Sequence, residues 1–196
     1  MSINKRVMIV AFTVLVTVVF VSPISLMYLI TKPAVELNER VFLRRSVLYA
    51  AGLQVPPTPA EISALFDSRV EEKTGSGGPY YSIKDGGGQP VGYVFLRSGP
   101  GLWGEITAAL GFDARLEKLT GVDFLKQSET PGLGARIGEP WFREQFRGKR
   151  GPFTTVGEGE PAAENQFDAI TGATLTSNFV KDLLNSAVEQ VGDLVD

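Results

Sequence analysis

An uncharged apolar run near the N-terminus constrains this chain most, because few folds can accommodate it. The run covers 24 residues, from Val7 to Ile30. As an α-helix it would be about 36 Å long, at a rise of about 1.5 Å per residue, whereas the hydrocarbon core of a bilayer is about 30 Å thick. The apolar core of a cleaved signal peptide is shorter, at about 7 to 15 residues. We therefore predict a retained transmembrane anchor, residues 1–31, in contact with membrane lipid.

The charges beside this run predict the orientation of the anchor. Lys5 and Arg6 precede the run directly, and basic flanking residues favour the cytoplasmic side of a membrane. We expect a single-pass protein of the inner (cytoplasmic) membrane, with the bulk of the chain on its extracytoplasmic, periplasmic side. The formal net charge is -3, from 19 basic and 22 acidic residues, so the composition offers no basic surface for nucleic acid and no nucleic-acid partner is predicted.

The chain contains no cysteine and no histidine. Disulfides, iron–sulfur ligation and thiol catalysis are therefore excluded, and the commonest metal ligand is missing, so no metal site is predicted. A redox function would require an organic cofactor bound by backbone groups, hydroxyls and carboxylates.

Hydropathy patterns divide the rest of the chain into a helical connector, residues 32–74, and a domain, residues 75–196. The patterns predict helices over 33–53, 60–72 and 141–146 and strands over 80–84, 90–97 and 116–126. The fold class predicted is α+β: a small antiparallel sheet with packed helices, preceded by one N-terminal transmembrane helix.

A final amphipathic helix is predicted from the apolar residues that recur every three or four positions between Phe179 and Leu194. We expect Thr176 or Ser177 to cap it, with Thr174 in the loop just before it. Free backbone N–H groups and the positive end of the helix dipole would meet in this loop, and Gly172 would permit close approach. The turn therefore predicts an anion site, the alternative being that its hydroxyls only cap the helix.

The segment Asp168-Ala-Ile-Thr-Gly-Ala-Thr174 resembles the flavinylation motif Asp-x-x-(Ser/Thr)-Gly-Ala-Thr of FMN-binding domains. Such domains occur in the C subunit of sodium-translocating NADH:quinone reductase and in the G subunit of the Rnf electron transport complex. The resemblance implies that a flavin transferase joins the FMN phosphate to Thr174, with Thr176 as the second choice. Asp168 is expected to shape the loop or guide the transferase, since two anions in contact repel. The other implied contacts in this turn are Thr171, Gly172, Ala173 and Leu175.

Two further segments carry the same resemblance. Glu129-Thr-Pro-Gly-Leu-Gly134 resembles the second signature of the family, and Gly101-Leu-Trp-Gly104 resembles a glycine-rich turn of the sodium-translocating reductase type. The two glycines and the proline of the Glu129–Gly134 segment would let its backbone lie against a planar ring, unless this segment is only a tight turn with a solvated Glu129. Trp103 would either stack near the flavin or lie in the core. The flavin contacts predicted from these segments are Leu102, Trp103, Glu129, Thr130, Gly132, Leu133 and Gly134.

The resemblance implies a membrane-anchored electron-transfer subunit with covalent FMN. It would act inside an ion-translocating respiratory complex of the Rnf or sodium-translocating NADH:quinone reductase type, beside other membrane subunits, rather than as a stand-alone enzyme. Two alternatives stay open: an FMN carrier of another extracytoplasmic reductase, and a non-redox, membrane-tethered assembly domain. A hydrolase is disfavoured, because a chain without histidine and cysteine can form neither a Ser–His nor a Cys–His pair.

Overall fold

The computed structural model describes residues 3–75 and 78–193. The chain divides into two compact units, residues 1–40 and residues 41–196, and the first helix, α1 (Ile3–Ala50), crosses this division. Leu194, which the periodicity assigns to the last helix, lies outside the described residues. The predicted domain boundaries after residues 31 and 74 stay predictions.

The first unit consists of the part of α1 that carries the apolar run. Among the described residues, α1 is the one helix long and apolar enough to cross a membrane, with a mean hydropathy of 2.7 over its best window. The hydroxyls of Thr13, Thr17 and Thr31 each donate to the carbonyl four residues earlier, at 2.8–2.9 Å. Polar groups satisfied within the helix suit a hydrocarbon environment, where no water is available. The predicted N-terminal apolar helix is confirmed.

The second unit is built on a five-stranded antiparallel sheet in the order β1-β2-β3-β4-β5. Its strands are β1 (Val70–Gly75), β2 (Gly78–Lys84), β3 (Pro90–Pro100), β4 (Glu105–Asp113) and β5 (Leu119–Lys126). Two short strands, β6 (Thr154–Val156) and β7 (Gln166–Asp168), form a separate parallel pair. The predicted α+β class is confirmed.

One face of the sheet is covered by the C-terminal half of the unit. Helices α3 (Pro140–Glu144) and α4 (Thr174–Gln190) pack there, each contributing buried residues to the larger core. Phe146 lies at the centre of an aromatic cluster, with ring centroids 5.5 Å from Phe142 and 5.0 Å from Phe167. Burying one such side chain contributes about 1.5–3 kcal/mol, so this cluster fixes α3 and the segment leading to α4.

The other face is covered by the end of α1 and by α2 (Pro59–Arg69). The closest approach is at Gly111 of β4, where an added Cβ would lie 1.9 Å from the carbonyl oxygen of Ala50. The Thr120 hydroxyl donates to the same carbonyl at 2.7 Å. Glycine at position 111 is therefore what allows the last turn of α1 to rest directly on the sheet.

Several element boundaries differ from the sequence prediction. Strand β1 begins at Val70, inside the helix predicted over 60–72, because residues 70–75 pair with β2. Strand β4 was not predicted, nor were β6 and β7. The strand predicted from residue 116 begins at Leu119, since Leu116 has a positive φ of 58° in the turn between β4 and β5.

Replacing Gly111 with alanine tests the packing of α1 on the sheet. We expect Gly111→Ala to lower the free energy of unfolding by at least about 2 kcal/mol, because overpacking of this kind forces backbone shifts. Gly86→Ala is the matched control, since a Cβ at position 86 meets nothing within 4 Å. Denaturant unfolding followed by circular dichroism measures both, and equal stability of the two variants would contradict the packing described.

Candidate functional site

A cavity of about 290 Å³ lies at the N-terminal end of α4. Three segments meet around it: the β3–β4 turn, the chain that follows β5, and the first turn of α4. This volume is close to the lower end of the range for small-molecule sites, about 300–1,000 Å³. Its ten lining residues, all among those named from the sequence, are Leu102, Glu129, Thr130, Leu133, Gly134, Gly172, Ala173, Thr174, Leu175 and Thr176.

Glu129 joins the three segments through its carboxylate. Its side chain is buried, with 5% of the residue exposed. One oxygen, Oε1, accepts from the backbone N–H groups of Leu102 at 2.8 Å and Trp103 at 3.3 Å. The other, Oε2, accepts from the Thr176 hydroxyl at 2.5 Å. Glu129 is therefore not the solvated side chain of a simple tight turn.

Two glycines make room for this carboxylate. A Cβ on Gly134 would lie 2.6 Å from the Thr176 hydroxyl oxygen and 2.8 Å from Oε2 of Glu129. A Cβ on Gly101 would lie 2.7 Å from Oε1 of the same side chain. All three distances are shorter than a non-bonded contact allows, so any larger residue would displace the hydrogen bonds of Glu129.

Helix α4 begins earlier than the sequence predicted. Thr174 is its first residue, and the preceding Ala173 makes no side-chain cap. The expected caps are wrong, because Thr176 and Ser177 both lie inside the helix. Thr176 donates to Glu129, while the Ser177 hydroxyl accepts from the Ile170 N–H at 3.0 Å and donates to the Ala173 carbonyl at 3.1 Å. The first turn of α4 is left without a side-chain acceptor, which favours an anion there.

Thr174 and Thr176 differ sharply in accessibility. Thr174 is exposed at the edge of the cavity, whereas Thr176 is buried with 1% of its surface exposed. Around the cavity, Leu102, Leu133 and Leu175 are 47%, 42% and 56% exposed. Thr130 is also exposed at the cavity, where its hydroxyl accepts from the Trp103 ring nitrogen. The site therefore combines an accessible hydroxyl at the start of α4 with an apolar rim.

Four residues predicted from the sequence do not line the cavity. Trp103 is 69% exposed, so the option that it lies in the core is wrong, and its ring nitrogen donates to the Thr130 hydroxyl at 3.1 Å. Asp168 ends β7, where its carboxylate accepts from the Gly159 N–H at 2.8 Å. Gly132 and Thr171 lie in the adjoining turns.

Glu158 is a residue near the site that the sequence prediction missed. Its carboxylate pairs with Arg136, at 2.7 and 3.2 Å, and accepts from the Thr171 N–H at 2.8 Å. The hydrogen bond from Arg136, followed by that from Thr171, lowers the pKa of Glu158 to about 2. The contact is therefore complete above the ordinary glutamate pKa, about 4.3, and is lost as the pH falls through about 2. No sequence motif marks position 158.

Comparison with known proteins places this site in a described family. The family model described as an FMN-binding domain matches residues 101–189, which contain all three segments of the site. The chain is 32% identical to the G subunit of the ion-translocating oxidoreductase complex of Methanosarcina acetivorans, over 91% of this chain and 93% of that protein.

Relatives of a second type match a shorter part. The chain is 35% identical to the C subunit of the Na⁺-translocating NADH-quinone reductase of Pasteurella multocida, over 57% of this chain and 46% of that protein. It therefore spans about half the length of that relative. The crystal structure of the protein of the same name from Parabacteroides distasonis superimposes with a TM-score of 0.66 at 26% identity, covering 82% of this chain and 95% of that one.

Substitution of Glu129 tests whether its carboxylate holds the site together. We expect Glu129→Ala to lower the free energy of unfolding by at least about 2 kcal/mol. It strands the buried Thr176 hydroxyl, at a cost of about 1–3 kcal/mol, and removes the acceptor of two part-buried N–H groups. Glu129→Gln keeps one acceptor and should fall between this variant and the wild type. The control is Glu164→Ala, at a side chain that is 69% exposed. Denaturant unfolding gives the values, and a Glu129→Ala protein as stable as the control would contradict this role.

Proposed function

Because the chain belongs to the FMN-binding domain family, we propose that it is a membrane-anchored electron-transfer subunit of an ion-translocating oxidoreductase complex. The complex is of the Rnf or sodium-translocating NADH:quinone reductase type, and its other membrane subunits are the partners. FMN, joined by its phosphate to the Thr174 hydroxyl oxygen, supplies the capacity to accept and release electrons. The residues of this chain bind and orient the cofactor.

The observation that carries this proposal is the position of the Thr174 hydroxyl. It is exposed on the first residue of a helix that has no side-chain cap, at the edge of the cavity. A phosphate on this oxygen would meet the free N–H groups and the positive end of the α4 dipole. The same position leaves the hydroxyl open to a flavin transferase. The phosphoester would form as the hydroxyl loses its proton and the phosphorus releases the leaving group of a flavin dinucleotide donor, a nucleoside monophosphate.

Neither neighbouring threonine is as suitable an acceptor. The Thr176 hydroxyl is buried and donates to Glu129, so its modification would break the contact that joins the three segments. Thr171 is exposed, but its backbone N–H is held by Glu158, whose low pKa keeps that carboxylate ionised. A phosphate at Thr171 would therefore meet a fixed negative charge.

The cavity walls fit an isoalloxazine ring. Leu102, Leu133 and Leu175 supply apolar surface against which the ring would pack. Because these three side chains are partly exposed, one edge of the ring would stay accessible to a partner. Gly172 has a positive φ of 78° in the turn before α4. A Cβ at this position would lie 3.1 Å from Leu133, so glycine lets the turn and this wall approach closely.

The domain after the anchor is assigned to the extracytoplasmic side. Lys5 and Arg6 stand before the apolar run, and basic residues are retained in the cytoplasm during insertion. A cofactor bound covalently suits this location, because FMN that dissociated there would be diluted and lost.

Flavin attachment tests the proposed link. When the chain is co-expressed with a flavin transferase, we expect flavin fluorescence on a denaturing gel and a mass increase equal to FMN less one water. Thr174→Ala should show neither, because the acceptor oxygen is missing, whereas Thr154→Ala, at an exposed threonine outside the motif and the cavity, should be modified like the wild type. Colourless wild-type protein, or modified Thr174→Ala protein, would refute the phosphoester at Thr174.

Labelling of single cysteines tests the orientation, because the chain has no cysteine of its own. In intact spheroplasts we expect a membrane-impermeant maleimide to label Glu164→Cys, at a side chain that is 69% exposed. It should not label Asn4→Cys before the membrane is dissolved. Detergent should expose both positions, and the reverse pattern in spheroplasts would mean that the domain lies in the cytoplasm.

A further inference from the structure

A second cavity, of about 280 Å³, lies between the end of β3 and the middle of α4. It shares no lining residue with the cavity at the start of α4. Its walls include Arg97 and Ser98 from β3 and Phe179, Leu183, Ser186 and Ala187 from α4. The cavity thus combines one basic side chain, apolar surface and two hydroxyl-bearing residues.

Arg97 is the unusual feature of this cavity. Its Nε atom is buried without a hydrogen-bond partner. Its Nη1 atom donates to the carbonyl of the adjacent Leu96 at 3.2 Å, and within residues 3–75 and 78–193 no carboxylate lies within 4.0 Å of the guanidinium. Burial lowers the pKa of Arg97. The residue as a whole is half-buried. Charges withdrawn from water are ordinarily paired, whereas this guanidinium has no partner of opposite charge among the described residues.

The surroundings of Arg97 define which anion would fit. Its guanidinium carbon lies 5.8 Å from the centre of the Phe95 ring. Leu183 of α4 packs closely against Gly99 of β3, since a Cβ on this glycine would lie 3.1 Å from the Leu183 side chain. Leu183 therefore forms an apolar wall of the cavity. One acidic residue, Asp182, also borders the cavity, but its side chain is 68% exposed and lies 3.5 Å from the Lys181 ammonium. The charge of Asp182 is therefore partly offset and screened by solvent.

We propose that this cavity binds a small organic carboxylate, with the carboxylate paired to the Arg97 guanidinium and an apolar body against Phe179, Leu183 and Ala187. A guanidinium offers a planar fork of N–H donors that matches the two oxygens of a carboxylate. The apolar walls favour an organic anion over inorganic phosphate. This site is independent of flavin attachment, because Thr174 and Glu129 lie outside it.

Calorimetric titration of the full chain in detergent tests the site, with benzoate as the probe. We expect saturable binding of benzoate that Arg97→Gln weakens at least about tenfold, the loss expected for a charge-assisted hydrogen bond. Benzamide, which has the same shape without the charge, and inorganic phosphate should bind far more weakly than benzoate. Arg115→Gln is the matched control, since it removes the same charge from an exposed side chain and should leave the affinity unchanged.

A second variant keeps the test valid if Arg97→Gln does not fold. Ser186 is exposed at the rim of the cavity, so Ser186→Phe should narrow the entrance and weaken benzoate binding while the guanidinium remains. The proposal is overturned if wild-type protein shows no saturable benzoate binding, or if benzamide or phosphate binds as well as benzoate. Unchanged benzoate affinity in Arg97→Gln, or in Ser186→Phe, overturns it equally.

Discussion

The buried carboxylate of Glu129 is the constraint on which the arrangement of the first cavity depends. A carboxylate at this depth is tolerated only when its oxygens accept hydrogen bonds, and here it accepts from Leu102, Trp103 and Thr176. Those donors come from two segments that are far apart in the chain. The glycines at positions 101 and 134 follow from the same requirement, because a Cβ at either would collide with the carboxylate oxygens. Two sequence signatures are thus explained by packing around one side chain, before any ligand is considered.

The same contact determines the state of the α4 N-terminus. The hydrogen bond that the Thr176 hydroxyl donates to Glu129 holds this side chain against the carboxylate rather than against a free N–H group of the first turn. Ser177 is engaged by Ile170 and Ala173, which closes the turn before the helix. A helix that begins without a cap loses about 0.5–2 kcal/mol relative to a capped one. An anion at this position would recover part of that loss, typically about 0.3–1 kcal/mol. The hydrogen bonds that stabilise the cavity segments therefore leave the N–H groups at the start of α4 without a side-chain acceptor, and this end of the helix is electropositive.

The sequence predicted the fold class and the segments of the site but not the contacts between them. The anchor and the hairpin of β2 and β3 were predicted because their signals are local: an uncharged run, and two strands around Asp85-Gly-Gly-Gly88. Strand β4 (Glu105–Asp113) was missed because Ala108, Ala109 and Gly111 have low strand propensity, and its pairing with β3 and β5 decides its structure. The start of α4 was misplaced because the hydroxyl partners of Thr176 and Ser177 depend on tertiary contacts. Glu158 could not be found for the same reason.

The charges around the first cavity explain why a covalent bond suits the proposed cofactor. None of its ten described lining residues is a lysine or an arginine, and the nearby Arg136 is paired with Glu158. A phosphate would therefore be held noncovalently by the helix end, an interaction of at most about 2 kcal/mol. That corresponds to about a 30-fold gain in affinity, since about 1.4 kcal/mol is tenfold. Such a gain is too small to retain a cofactor where the free concentration is low. With a phosphoester at Thr174, occupancy no longer depends on that affinity, and the apolar walls need only orient the ring.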